Sequence, residues 1–111
     1  MSTYWETIHE EEHNGFLIVT SITHEDTHPR DSFDETPEDM AEICRKIDHG
    51  LLTWFVARVQ AFRHGVLLGT DYLGGNLYKN PQDFIKEGGY YEDMVNAATT
   101  EAANTIELLA A

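Results

Sequence analysis

Six histidines are the residues of this 111-residue chain whose spacing most invites a chemical reading. His9 and His13 are four apart, as are His24 and His28, and residues four apart share a face in an extended strand. A hairpin joining the two segments would turn His9, His13 and His24 to one side, where neutral imidazoles can take a transition metal. Against a metal stand the lack of an assignable carboxylate to orient the rings and the absence of an H-E-x-x-H pattern. Ordinary surface histidines are therefore expected, with no metal and no cofactor.

The nucleophile candidates Ser21, Ser32 and Cys44 have histidines near in sequence, but none lies in an elbow motif. Cys44 shares the i, i+3, i+4, i+7 spacing of Met40, Ile43 and Ile47, so a buried, inert thiol is expected. Asp34, Glu35, Glu38 and Asp39 could pair for acid–base work, yet a solvated helix N-terminus explains them through the macrodipole. Enzymatic activity is not expected, a metal-dependent enzyme using the histidines being the alternative. Gly69 to Gly75 (GTDYLGG) resembles an anion-binding loop only in its glycines: no Lys-Ser/Thr follows, and the segment ends a hairpin instead of opening a helix. Close packing of a helix over Gly74 and Gly75, or a tight turn, is the expectation. An alternative ligand site has Trp54, Tyr72 and Tyr78 stacking on a nucleotide beside Gly74 and Gly75.

Charge gives the strongest exclusion. Twenty acidic residues face seven basic ones, for a formal −13, and a field of that sign repels phosphate backbones. Direct nucleic-acid binding is thereby disfavoured, and partners with basic surfaces become more plausible. Residues 1–50 hold thirteen acids and three bases, a net of −10. Nine carboxylates fall between Glu25 and Asp48, a density that approximates a duplex, which carries one charge per about 1.7 Å of its axis. The expected function is thus that of a non-enzymatic acidic binding protein whose acidic face occupies a basic, nucleic-acid-handling surface of a partner protein. Its contacts would be Asp31, Asp34, Glu35, Glu38, Asp39 and Glu42, and a solubilising acidic surface is the simpler alternative.

These residues must be positioned by one domain, residues 1–111, since the length fits a single core. Asn14-Gly15 predicts a type I′ turn between strands at 4–13 and 16–24. The stretch from Glu25 to Glu35 reads as a loop, after which Thr36-Pro37 caps a helix that Gly50 can end. Strands at 51–63 and 66–73 turn at His64-Gly65, which places Arg58 opposite Asp71 and Phe62 opposite Leu67. The inner face then collects Phe55, Ala57, Val59, Ala61, Leu68 and Tyr72. Gly74-Gly75 ends this hairpin, and Asn80-Pro81 begins a short helix closed by Gly88-Gly89. A long helix carries Tyr91, Met94, Val95, Ala98, Ala102, Thr105, Ile106 and Leu109 on one face. The order is β-β-α-β-β-α-α, an α+β two-layer sandwich in which two β-hairpins form an antiparallel sheet packed by helices.

At Trp54 to Val59 (WFVARV), Gly65 to Tyr78 (GVLLGTDYLGGNLY), Asp83-Phe84 and Gly89 to Val95 (GYYEDMV), the chain resembles small proteins encoded by bacteriophages and prophages, a family without an assigned activity. The resemblance covers roughly residues 36–110 and implies a phage accessory protein, an inhibitor of host defences. The family pattern often has cysteine after the paired glycines, where this chain has Asn76, so thiol chemistry there does not carry over.

Neither a bilayer-spanning run of ~20 apolar residues nor a basic-then-apolar leader is found, Met1 to Glu12 being polar and acidic. Cys44 is the only cysteine, which fits a reducing compartment, and a cytoplasmic location is expected. Oligomeric state is left open, a homo-oligomer included.

Overall fold

Two pairs of residues with positive φ make the tight turns: Asn14 (52°) with Gly15 (83°), and His64 (52°) with Gly65 (77°). Both central positions of a type I′ turn require that sign, and its twist matches that of the flanking strands. The computed structural model describes residues 4–110. It holds, in chain order, β1 (Glu6–His13), β2 (Phe16–His24), a 3-10 turn (Pro29–Asp31), α1 (Pro37–Asp48), β3 (Thr53–Arg63), β4 (Val66–Tyr78), α2 (Gln82–Lys86) and α3 (Tyr90–Ala110). The four strands form one antiparallel sheet in the order β1-β2-β3-β4, so the fold is α+β with the predicted element order.

The core lies between the inner face of the sheet and α2 with α3. Phe16, Ile18, Thr20 and Ile22 of β2 alternate with Phe55, Ala57, Val59 and Ala61 of β3 to supply the sheet's share, all of them buried. Tyr91, Met94, Val95, Ala98 and Ala102 meet them from α3, and Phe84 of α2 fills the space against Phe55, Tyr78 and Tyr91 with edge-on ring contacts. Gly69 lets α3 come close to the sheet: a Cβ at that position would collide with the Ala98 carbonyl oxygen and stand 2.9 Å from the Ala102 nitrogen. Helix packing on a glycine thus occurs at Gly69, not at Gly74 and Gly75.

Irregularities in pairing correct several expectations. One falls in the β3–β4 ladder between Ala61 and Phe62, where Leu68 is the extra residue on β4, so Phe62 does face Leu67 but Arg58 faces Tyr72 and Val59 faces Asp71. A one-residue slip exchanges the two faces of a strand. Tyr72 therefore stands on the outer face, 59% exposed, beside Trp5 and opposite Arg58, instead of in the core. A second irregularity holds Gly74-Gly75 inside β4, which continues to Tyr78 rather than ending at the glycines. The carbonyls it frees are met by Asn76, whose buried side-chain amide donates to Leu73 O (2.7 Å) and Phe55 O (3.2 Å). A third leaves Ile8 of β1 out of register, and its carbonyl accepts from the Gln82 side chain at 2.7 Å, tying α2 to the edge strand.

The helical face of α3 is buried from Tyr91 to Ala102, half-buried at Thr105 and Ile106, and fully outside the core at Leu109, which is 76% exposed. α1 differs from α2 and α3 in making its main contacts with the 3-10 turn rather than with the sheet. Met40 is buried there while Ile43, Cys44 and Ile47 are half-buried, so the apolar stripe is real but only partly covered. No helix among the described residues is long and apolar enough to cross a membrane.

Candidate functional site

Residues 25–52 leave the sheet after β2 and return to it at β3, and this arm carries the predicted acidic contacts. Thr36 begins α1 by accepting from the Asp39 amide (3.2 Å), with Pro37 in the first turn, so the helix starts where its capping signal stands. That start fixes which way the acids point. Asp31, Asp34, Glu35, Glu38 and Asp39 are all exposed, and none takes part in an ion pair among the described residues. Glu42 is different: Arg45 donates to both of its oxygens, at 3.0 and 2.6 Å, which holds the Glu42 carboxyl below its ordinary pKa and the Arg45 guanidinium above its own. Of the six predicted contacts, five are therefore unpaired among the described residues and one is neutralised.

The arm is fastened where it crosses Trp54. That indole is buried, donates to the Thr27 carbonyl at 2.7 Å and packs against Phe33 at 5.7 Å between ring centroids. Trp54 is thus a clasp for the arm and not a free stacking platform. Of the other residues proposed for a nucleotide, Gly74, Gly75 and Tyr78 share a shallow cleft of about 370 Å³, whereas Tyr72 lies on the outer face away from it. Gly74 faces the Glu25 carboxylate, whose oxygen stands 3.0 Å from where a Cβ would be. A phosphate approaching that backbone would meet a carboxylate, which argues against nucleotide binding there. No family model, characterised protein or solved structure matches the chain.

Among the described residues no three His, Cys, Asp or Glu side chains are grouped so as to hold a metal ion. His9 pairs with Thr20 and His13 with Phe16, so both lie on the inner face of β1. His24 lies near the other end of β2, opposite Phe55. What the sheet does assemble is a contact that sequence reasoning missed, Glu11 with Tyr91 and His9. The Tyr91 hydroxyl donates to Glu11 Oε1 at 2.6 Å, His9 stands edge-on to the Tyr91 ring at 5.7 Å, and His9 Nε2 lies 3.5 Å from Glu11 Oε2. Chiefly this phenol, and secondarily His9, keep the Glu11 carboxyl below its ordinary pKa, while burial and the same carboxylate push the Tyr91 phenol up. A phenol kept protonated beside a carboxylate is a joint between β1 and α3. Period-two alternation in β1 and 3.6-residue periodicity in α3 gave the phase of each, but nothing local pairs residues eighty positions apart.

Ser21 is buried within hydrogen-bonding distance (3.3 Å) of the Thr7 hydroxyl on the neighbouring strand, which removes it from solution. Cys44 has His28 beside it, Sγ to Nε2 3.8 Å. Because His28 Nδ1 accepts from the Arg30 amide at 3.1 Å, the neutral ring carries its proton on Nε2, the nitrogen that faces the sulfur. In that tautomer His28 donates toward the thiol and cannot take its proton, so the pair is not a nucleophile with its base.

Proposed function

We propose that this chain is a non-enzymatic binding protein whose acidic arm occupies a basic surface of a partner, the kind of surface that ordinarily holds nucleic acid. The observation that carries the proposal is the set of five exposed carboxylates, Asp31, Asp34, Glu35, Glu38 and Asp39, unpaired among the described residues and carried on one arm that stands apart from the core. A surface used only for solubility has no need of such concentration, whereas a string of like charges steers a cationic partner and speeds encounter. The resemblance to phage and prophage proteins supports a host protein as the target and inhibition as the outcome, within the cytoplasm.

Capture of the partner from host lysate, followed by a salt series, tests this. Affinity for the wild-type chain should fall as salt rises, because exposed charges are screened over about 8–10 Å at ordinary ionic strength. The variant Asp34→Asn/Glu35→Gln/Glu38→Gln/Asp39→Asn should associate more slowly while unfolding at nearly the wild-type temperature. Salt-independent binding, or equal affinity of the variant, refutes the proposal.

A further inference from the structure

We infer that the cleft between the last turn of α1 and the adjoining end of the sheet is a binding site for a small organic cation, an amine carried on an apolar or aromatic body. The cleft has a volume of about 730 Å³. Small-molecule sites commonly measure about 300–1,000 Å³. Its accessible apolar wall comes from half-buried Ile47 of α1 and Leu52 just before β3, and the buried Ile22 of β2 and Phe55 of β3 close its floor. Its acidic side chains are Glu6, Asp26 and Asp48, His24 is the one basic side chain among the described residues that line it, and no lysine or arginine is with them. None of these three carboxylates is in an ion pair with another described residue.

The two features act on different parts of one ligand. Hydrocarbon is drawn to the apolar wall, while carboxylates of a single sign around a low-dielectric concavity focus the field and concentrate cations. Tyr4, 80% exposed, also lines the cleft, and an aromatic ring attracts an ammonium group placed over its face. An anion on the same body meets an opposing field, and a bare ammonium gains nothing from the apolar wall. The acids of the arm's outer surface, Asp31 to Asp39, do not line this cleft, so the site stands or falls independently of the partner surface. Because Ile47 and Asp48 belong to the arm and Ile22 and Phe55 to the sheet, a bound ligand also bridges the two.

Heteronuclear NMR titration of the intact chain with phenethylamine tests the assignment, with phenylacetate as the same body bearing the opposite charge and methylamine as the charge without the body. Phenethylamine is expected to give saturable shifts centred on Ile22, Ile47, Leu52 and Phe55, and the two controls none. Asp26→Asn/Asp48→Asn should weaken phenethylamine by about threefold or more, the loss of two partly exposed charge contacts. If that variant does not fold, Glu6→Gln at the exposed start of β1 is expected to weaken binding in the same sense. Equal binding of phenylacetate, the same shifts with methylamine, shifts centred on Asp31 to Asp39, or unchanged affinity in the folded variant would each overturn the inference.

Discussion

Replacing Gly69 by alanine adds one methyl group, and the structure says where it must go. The methyl would collide with the Ala98 carbonyl oxygen and stand 2.9 Å from the Ala102 nitrogen, both backbone atoms of α3. No side-chain rotation relieves such a contact, since Ala98 and Ala102 are already the smallest side chains a helix carries without glycine. α3 must move away from β4 or the strand must bend. Overpacking a core typically costs about 1–3 kcal/mol, and a backbone obstacle belongs at the upper end. Stiffening of the unfolded chain by Gly→Ala returns about 0.4–1 kcal/mol, which leaves a net loss of about 2 kcal/mol. For a domain of this size that is roughly 8 °C in melting temperature. Gly74→Ala is the matched control, because the nearest atom there is the tip of the flexible Glu25 side chain at 3.0 Å, which can swing aside. Urea unfolding of both variants gives the comparison. A Gly69→Ala cost below about 0.5 kcal/mol, or one smaller than that of Gly74→Ala, refutes the close approach of α3.

Two further predictions concern the core and the Glu11–Tyr91 joint. Val59 is fully buried and Ile106 only half-buried, so calorimetry should find Val59→Ala costing about 2 kcal/mol and Ile106→Ala about 1 kcal/mol or less, although the latter removes more atoms; the reverse order would show the α3 phase to be wrong. Tyr91→Phe should cost about 0.5–1.5 kcal/mol at pH 7 through the lost hydrogen bond. Since the folded-state pKa of Glu11 is depressed, its contribution is present above the unfolded value, 4.5, and is lost as pH falls through the folded one. The difference between Tyr91→Phe and wild type should therefore shrink in acid, and a difference constant from neutral to strongly acidic pH would contradict the joint.

What could be read from the sequence were features set by a few adjacent residues. Asn14-Gly15 and His64-Gly65 announce their turns because positive φ is costly for most side chains, and Thr36-Pro37 announces α1 because cap and first-turn residues act locally. Inner-face positions of β3 were legible for the same reason, alternation running undisturbed from Phe55 to Ala61. Beyond Ala61 the irregular pairing reverses the faces of β4, and nothing in Val66-Leu67-Leu68 marks which residue is the extra one. Tyr72 was misplaced on that account. In the candidate site the exposed carboxylates of the arm were legible from charge and helix phase. The capture of Glu42 by Arg45, the burial of Trp54 under the arm and the meeting of Glu11 with Tyr91 were not, because each depends on which way side chains turn or on strands being brought together from afar.

The return of the chain at β3 has a consequence for how this protein can vary. His24 faces Phe55, so the sheet closes behind residues 25–52 and runs as an unbroken meander beneath them. The arm is in effect an insertion at the tip of a β2–β3 hairpin, and doubling the length of a flexible insertion costs only about 0.6 kcal/mol of closure entropy. Sequence drift in the arm is thereby uncoupled from the folding of the sheet, apart from the clasp at Trp54 and the stripe around Met40. Substitution of the acids between Asp31 and Asp39, or a longer excursion to carry them, would leave the residues that make the fold as they are.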